Sequence, residues 1–287
     1  MKQTQILPSS AWAFLIWLIV MTLVPFTIIL GMSFLERTEL GTILFSFSLK
    51  NYQQLFDWVY LKVLLKTVWL ALMATLSCLA VGFPVAYYLA RVQGPMKSLG
   101  LILLFIPFWT NFILRIYGIV SLFGSNGILN QFFSAVGLPK ASILYTRWGV
   151  YVGLVYNYLP FLVVPIYSSL EKLDPFLREA AADLGAARFQ TFRKVILPNI
   201  KEGVFIGSLF VFIPMLGEYV IPDLLGGAKE AFLGKVMVEQ FFILQDWPLG
   251  SAIATMLSVL LLGALWLQNR WASKNQNNSA KEVSSAI

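Results

Sequence analysis

The chain has 287 residues, 58% of them hydrophobic and only 12% charged, with a net charge of +7. Long apolar runs separated by clusters of Lys and Arg exclude an ordinary soluble domain and mark one polytopic helical membrane domain, residues 1–287, whose positive excess reflects orientation in a bilayer rather than nucleic-acid binding. Histidine is absent and Cys78, inside an apolar run, is the single cysteine, so there is no disulfide framework and no imidazole or thiolate metal site; Cys78 reads as a small packing residue.

Six runs are long enough to cross a bilayer core as helices, which takes about 20 residues each. They fall near 11–34, 64–90, 99–122, 148–170, 202–222 and 249–270. The first is too long for a signal-peptide core and lacks a small-residue cleavage site, so it is expected to remain as a span. Prolines 84, 107, 160, 165 and 214 lie within the runs and predict kinked helices. With the N-terminus cytoplasmic, inner segments (Lys2 among them) hold twelve basic residues and outer segments (Lys229 among them) eight, leaving Arg115. The excess favours cytoplasmic N- and C-termini. The outer segments, about 35–63, 123–147 and 223–248, can fold as short caps facing an external partner, and the polar stretch 272–287 reads as a disordered tail.

Two spans carry a deep charge. In the third, Asn111, Arg115 and Gly118 share one face and Trp109, Phe112 and Ile116 another, so Trp109 and Arg115 point apart. Trp109 can pack on lipid or hold an alkylammonium by cation–π contact. In the fifth, Glu218 stands between Pro214 and Pro222, which free the carbonyls of Phe210 and Glu218. A carboxylate flanked by free carbonyls suits a cation. Arg115 and Glu218 either pair with one another, or Glu218 lines a pathway while Arg115 anchors helices or contacts a loop. Gly149/Gly153 and Gly203/Gly207 predict close helix packing.

Between the fourth and fifth spans the segment 171–200 holds a polar helical hairpin. Asp174 is its N-cap, Pro175 occupies the first helical position, and Gly185 is the left-handed terminator of a helix from Pro175 to Leu184. Phe176, Ala180 and Leu184 form an apolar stripe, with Arg178, Glu179 and Asp183 at polar positions. Such a helix docks on a partner or rests on lipid headgroups.

Chemistry is conspicuous by what is missing. The string Gly234-Lys235-Val236 lacks the upstream glycine of a phosphate loop, since Lys229 stands there, and lacks the Ser or Thr. No nucleophile elbow or metal-binding helix motif is present, so energy for uphill movement comes from a partner or an ion gradient.

The hairpin string EAAADLGAARFQTFRKVILP, Glu179 to Pro198, resembles the EAA loop of ABC importer permeases, departing only by Val195 for Ile. Four further strings resemble the polyamine (spermidine/putrescine) ABC importer permeases of the PotB/PotH type: NYQQLFD from Asn51, IPFWTNFILRIYG from Ile106, FIPMLGEYVIPDLLGGAKE from Phe212 and QDWPLGSA from Gln245. The resemblance covers about 240 residues. It implies an all-α membrane fold of the type I, MetI-like importer architecture, and a non-enzymatic permease of the bacterial inner membrane that works by alternating access. Implied partners are a second permease, a cytoplasmic ABC ATPase dimer carrying ATP and Mg²⁺, and an external polyamine-binding protein. Glu179, Ala180, Ala181 and Gly185 would form the ATPase-coupling element, ended by Leu197-Pro198; Tyr52, Trp109 and Glu218, with Tyr117 and Asp223 behind them, would lie on the substrate route. Another small solute as cargo, or a secondary transporter or channel acting alone, are the competing readings, and the last leaves the EAA spacing unexplained.

Overall fold

The computed structural model describes residues 9–38, 41–227 and 230–285. Lys2 and Lys229 of the charge balance and residues 286–287 of the expected tail lie outside the described residues. Among the described residues the fold is all-α apart from one antiparallel pair of two-residue strands, and six stretches are long and apolar enough to cross a membrane. Expected as one membrane domain, the chain packs as two compact units, 1–61 with 236–265 and 62–235 with 266–287.

In the first unit, α1 (Ser9–Met32) is a uniformly apolar helix with none of its spanning window buried, as suits a helix facing lipid or another subunit. After it come the antiparallel strands β1 (Glu36–Arg37) and β2 (Ile43–Leu44) and the short helix α2 (Lys50–Leu55). Asn51 ties α2 to the end of α1: its buried amide donates to the Ser33 and Leu35 carbonyls at 3.1 and 2.7 Å. These elements fold the segment after the first span into a short cap of strands and helix.

The second unit holds most of α3 (Trp58–Arg91), then α4 (Pro95–Phe105), a 3₁₀ turn (Ile106–Trp109), α5 (Phe112–Phe123) and α6 (Ile128–Ala135). The third span, expected over 99–122 with a kink at Pro107, is broken outright at 106–111. Three local groups explain the break. Pro107 cannot donate to the helix, Thr110 turns extended (φ −88°, ψ 152°), and Asn111 Oδ1 accepts from Ile113 N at 2.8 Å to cap a new helix.

The core of this unit is α7 (Arg147–Glu171) against α10 (Leu197–Gly217). Gly203 and Gly207 let them approach: a Cβ at Gly203 would come within 2.0 Å of Ser169 Oγ, and one at Gly207 within 3.0 Å of the Leu162 carbonyl. The small-residue positions are packing positions, as the sequence suggests. Leu162, Val163, Ile166, Ile200 and Val211 are fully buried along this seam.

The fifth span differs from expectation at both ends. The fifth helical stretch runs without interruption through Arg188–Gly217: α9 (Arg188–Thr191), a π turn (Phe192–Ile196) and α10. Leu197-Pro198 therefore lies inside a helix and does not close the hairpin. Pro198 leaves the Lys194 carbonyl without its usual donor, and the chain widens so that Leu197 N donates to Phe192 O. The same stretch ends at Gly217, not 222; Glu218 adopts extended backbone (φ −67°, ψ 129°) before α11 (Val220–Gly226) begins. α12 (Leu233–Phe242) follows, and α13 continues from Trp247 to Ser285. The polar segment expected to be a disordered tail continues α13 as helical backbone, consistent with the absence of Gly and Pro after Gly263.

Candidate functional site

Two places in the second unit gather the residues singled out by sequence. The first is the hairpin. Asp174 Oδ1 accepts from Phe176 N at 2.9 Å, and α8 (Phe176–Asp183) follows. Gly185 has φ +76°, its N–H donates to Ala182 O at 2.8 Å, and Ala186 N–H reaches Ala181 O at 3.0 Å. That pair of bonds satisfies the Ala181 and Ala182 carbonyls in the last turn of the helix and turns the chain sharply. Ala181 is buried toward α9 and the π turn, whereas Glu179 and Ala180 are exposed. The apolar stripe faces outward: Phe176 is 73% exposed, Leu184 88%, and Phe189 on α9 71%. At the same end of the unit Lys97 on α4 pairs with Glu171 at the end of α7, and that hydrogen bond holds the Lys97 ammonium above the ordinary lysine range.

The second place is the pair of helix breaks. Glu218 stands at the break between α10 and α11 with both carboxylate oxygens engaged. Oε2 accepts from Tyr158 Oη on α7 at 2.7 Å, and Oε1 accepts from Val220 N at 3.0 Å and Ile221 N at 3.5 Å. The carboxylate thus caps α11, where the first N–H groups would otherwise be orphaned. Pro222 is the third residue of α11, so its missing N–H costs nothing, and the freed-carbonyl argument survives only for Phe210. Gly234 approaches the break so closely that a Cβ there would lie 2.4 Å from Gly217 O and 2.7 Å from Glu218 O.

Arg115 belongs to the other break. Its guanidinium donates to Pro107 O at 3.3 Å and lies over the Phe108 ring at 4.4 Å, with Phe112 at 5.7 Å. The side chain folds back on the 3₁₀ turn, the loop-contact role. Among the described residues Arg115 and Glu218 form no ion pair with each other; each has its own partners. A groove of about 720 Å³ opens beside this turn, lined in part by Pro107, Thr110, Leu114, Arg115 and Tyr156.

The remaining candidates scatter. Trp109, in the 3₁₀ turn and not on a helix face shared with Phe112 and Ile116, is 80% exposed, and Tyr117 is 52% exposed. Among the described residues no hydrogen bond or ring contact joins either to Glu218. Asp223 is paired with Lys235 Nζ at 3.0 Å, and Lys235 also donates to Gly227 O at 3.3 Å, so the lysine of the false phosphate loop is an ion-pair partner. Tyr52 belongs to the first unit, where its hydroxyl shares a 2.7 Å hydrogen bond with Ser33 and its ring lies 5.2 Å from Phe34. Sequence reasoning missed Tyr158, Phe161 and Phe108. They stand in aromatic-rich helical stretches where no spacing distinguishes them from lipid-facing neighbours.

The family model described as "Binding-protein-dependent transport system inner membrane component" matches residues 79–274. The chain is 41% identical over 271 residues to the spermidine/putrescine transport system permease protein PotB of Salmonella typhimurium (strain SL1344), covering 93% of this chain and 94% of that one. It is likewise 41% identical over 263 residues to PotB of Escherichia coli (strain K12), covering 90% and 96%. Among solved structures, a chain of a bacterial ABC transporter involved in the import of the acidic polysaccharide alginate superposes with a TM-score of 0.73 at 15% identity, over 93% of this chain and 94% of that chain. The family match reaches from α3 into α13 and the relatives extend it almost end to end; the chain belongs to the family of binding-protein-dependent transport system inner membrane components.

Proposed function

We propose that this chain is a permease subunit of an ATP-driven polyamine importer, forming with a second permease the route by which putrescine or spermidine crosses the bacterial inner membrane. The observation that carries the cargo is the 41% identity, over nearly the whole of both chains, to permeases named for spermidine and putrescine transport. The chain is not itself an enzyme. ATP and Mg²⁺ belong to a cytoplasmic ATPase dimer, and an external binding protein delivers the polyamine.

The hairpin is the proposed ATPase dock. Its support is physical: Phe176, Leu184 and Phe189 leave a stretch of chain with large apolar side chains facing outward, on a hairpin whose first helix is capped at both ends by local bonds. Glu179, Ala180, Ala181 and Gly185 shape that element, and Leu197-Pro198 belongs to the stiff helix that would carry its motion to Glu218. This assignment sets the hairpin and both termini on the cytoplasmic side. Glu218 is the proposed attraction point for an ammonium group on the route, with Trp109, Tyr117, Tyr52 and Asp223 as further contacts in the assembled complex.

The test is ATP-dependent uptake of labelled putrescine and spermidine into vesicles holding the complete complex and its binding protein. Saturable uptake of either supports the reading. A complex with active ATPase that takes up neither would retain the permease assignment and lose the polyamine one.

A further inference from the structure

The two helix breaks are joined by a ladder of three rings. Tyr158, whose hydroxyl holds Glu218, has its ring centroid 6.1 Å from that of Phe161, one turn further along α7. Phe161 meets Phe108 of the 3₁₀ turn edge-to-face at 5.1 Å, and Phe108 carries the Arg115 guanidinium at 4.4 Å. One end of the ladder is therefore anionic and the other cationic. Phe161 is 47% exposed and Tyr219, beside Glu218, 44% exposed, so the ladder has an open flank.

A carboxylate oxygen has about two acceptor directions. Tyr158 Oη occupies one on Oε2, which leaves room there for one further donor. The tyrosine hydroxyl and the α11 amides together fix the carboxylate plane and prevent it from swinging away with its broken helix. An alkylammonium arriving at Glu218 would find its aliphatic stem against the tilted rings of Tyr158 and Phe161, while Arg115 over Phe108 opposes a second positive charge at the far end.

We propose that Tyr158 is the positioning residue for Glu218 and that the Tyr158–Phe161–Phe108 ladder is a one-ended subsite for an alkylammonium, with its charged head at Glu218 and its carbon chain along the rings. This rests on the polyamine reading given above and adds residues and polarity to it.

The experiment is equilibrium binding of labelled putrescine and spermidine to the purified complex without its binding protein, beside uptake by the complete reconstituted system, comparing the native chain with Tyr158→Phe and Phe161→Leu. Tyr158→Phe keeps the ring and removes only the hydroxyl; Phe161→Leu keeps apolar volume and removes the π face. In both variants the dissociation constant for the polyamine is expected to rise about threefold to tenfold, with the complex still assembled. Unchanged binding in both variants, with native uptake intact, would overturn the subsite alone. Loss of assembly in both variants would show a purely structural ladder and also overturn it. Absence of polyamine uptake by the native complex would end the cargo reading, and the subsite with it.

Discussion

The hairpin and the Glu218 break both interrupt helical structure with a polar residue, yet they are held in opposite ways. The bonds that cap the hairpin helix are local: Asp174 caps Phe176 two residues on, and Gly185 and Ala186 close onto Ala182 and Ala181. Its large apolar side chains are left outside. The break depends on distant segments: Tyr158 reaches Glu218 across 60 positions, and Gly234 fits against the carbonyls of Gly217 and Glu218. A locally specified element keeps its shape while its surface is free to bind and release a partner. A break assembled from three segments exists only when all three are in place, which ties a half-buried carboxylate to the arrangement of the helices around it.

The largest expected effect tests the second half of that contrast. Gly234→Val should destabilise the unit, because its Cβ would collide with two backbone carbonyls that cannot rotate away; overpacking of this kind costs about 1–3 kcal/mol or more. The readout is the thermal midpoint of the detergent-solubilised permease pair, and an unchanged midpoint would show that the break does not need α12.

Gly185→Val tests the first half. No other group lies within 4 Å of a Cβ there, so the strain is confined to a φ of +76° and is worth about 1–3 kcal/mol. Folding should survive while uptake per ATP hydrolysed falls about tenfold, and Gly185→Asn should recover most of it because Asn tolerates the left-handed region. Equal loss in both variants would point away from the turn geometry.

A smaller effect is expected from Leu184→Ser. The residue is 88% exposed, so stability should stay within about 0.5 kcal/mol, whereas ATPase association, titrated on permease in nanodiscs, should weaken by about 1–2 kcal/mol. Smallest is Asn111→Ala, which removes the cap of α5 and should lower stability by about 1 kcal/mol with uptake little altered.

Much of the hairpin was legible because its signals act over one helical turn: Asp174, Pro175 and Gly185 are each read from type and position. Its exit was not, because Pro198 looks like a terminator until the π turn before it is seen. The break in the third span left a trace, Pro107 followed by Asn111, but continuous hydropathy across 99–122 conceals it. The possible Arg115–Glu218 pair was a question of distance between helices, and the structure answers it by giving Arg115 to Pro107 and Phe108 and Glu218 to Tyr158.

By itself the sequence determined the membrane class, six apolar stretches, the caps of the hairpin and the positions where helices touch through glycine. Those depend on transfer of apolar length into a bilayer and on bonds between near neighbours, both properties of a segment alone. Tertiary structure alone decided which ring holds Glu218, where Arg115 folds, and that Asp223 is matched by Lys235. A charge takes whichever partner the packed helices bring within about 3 Å, and that distance is not written in any one segment.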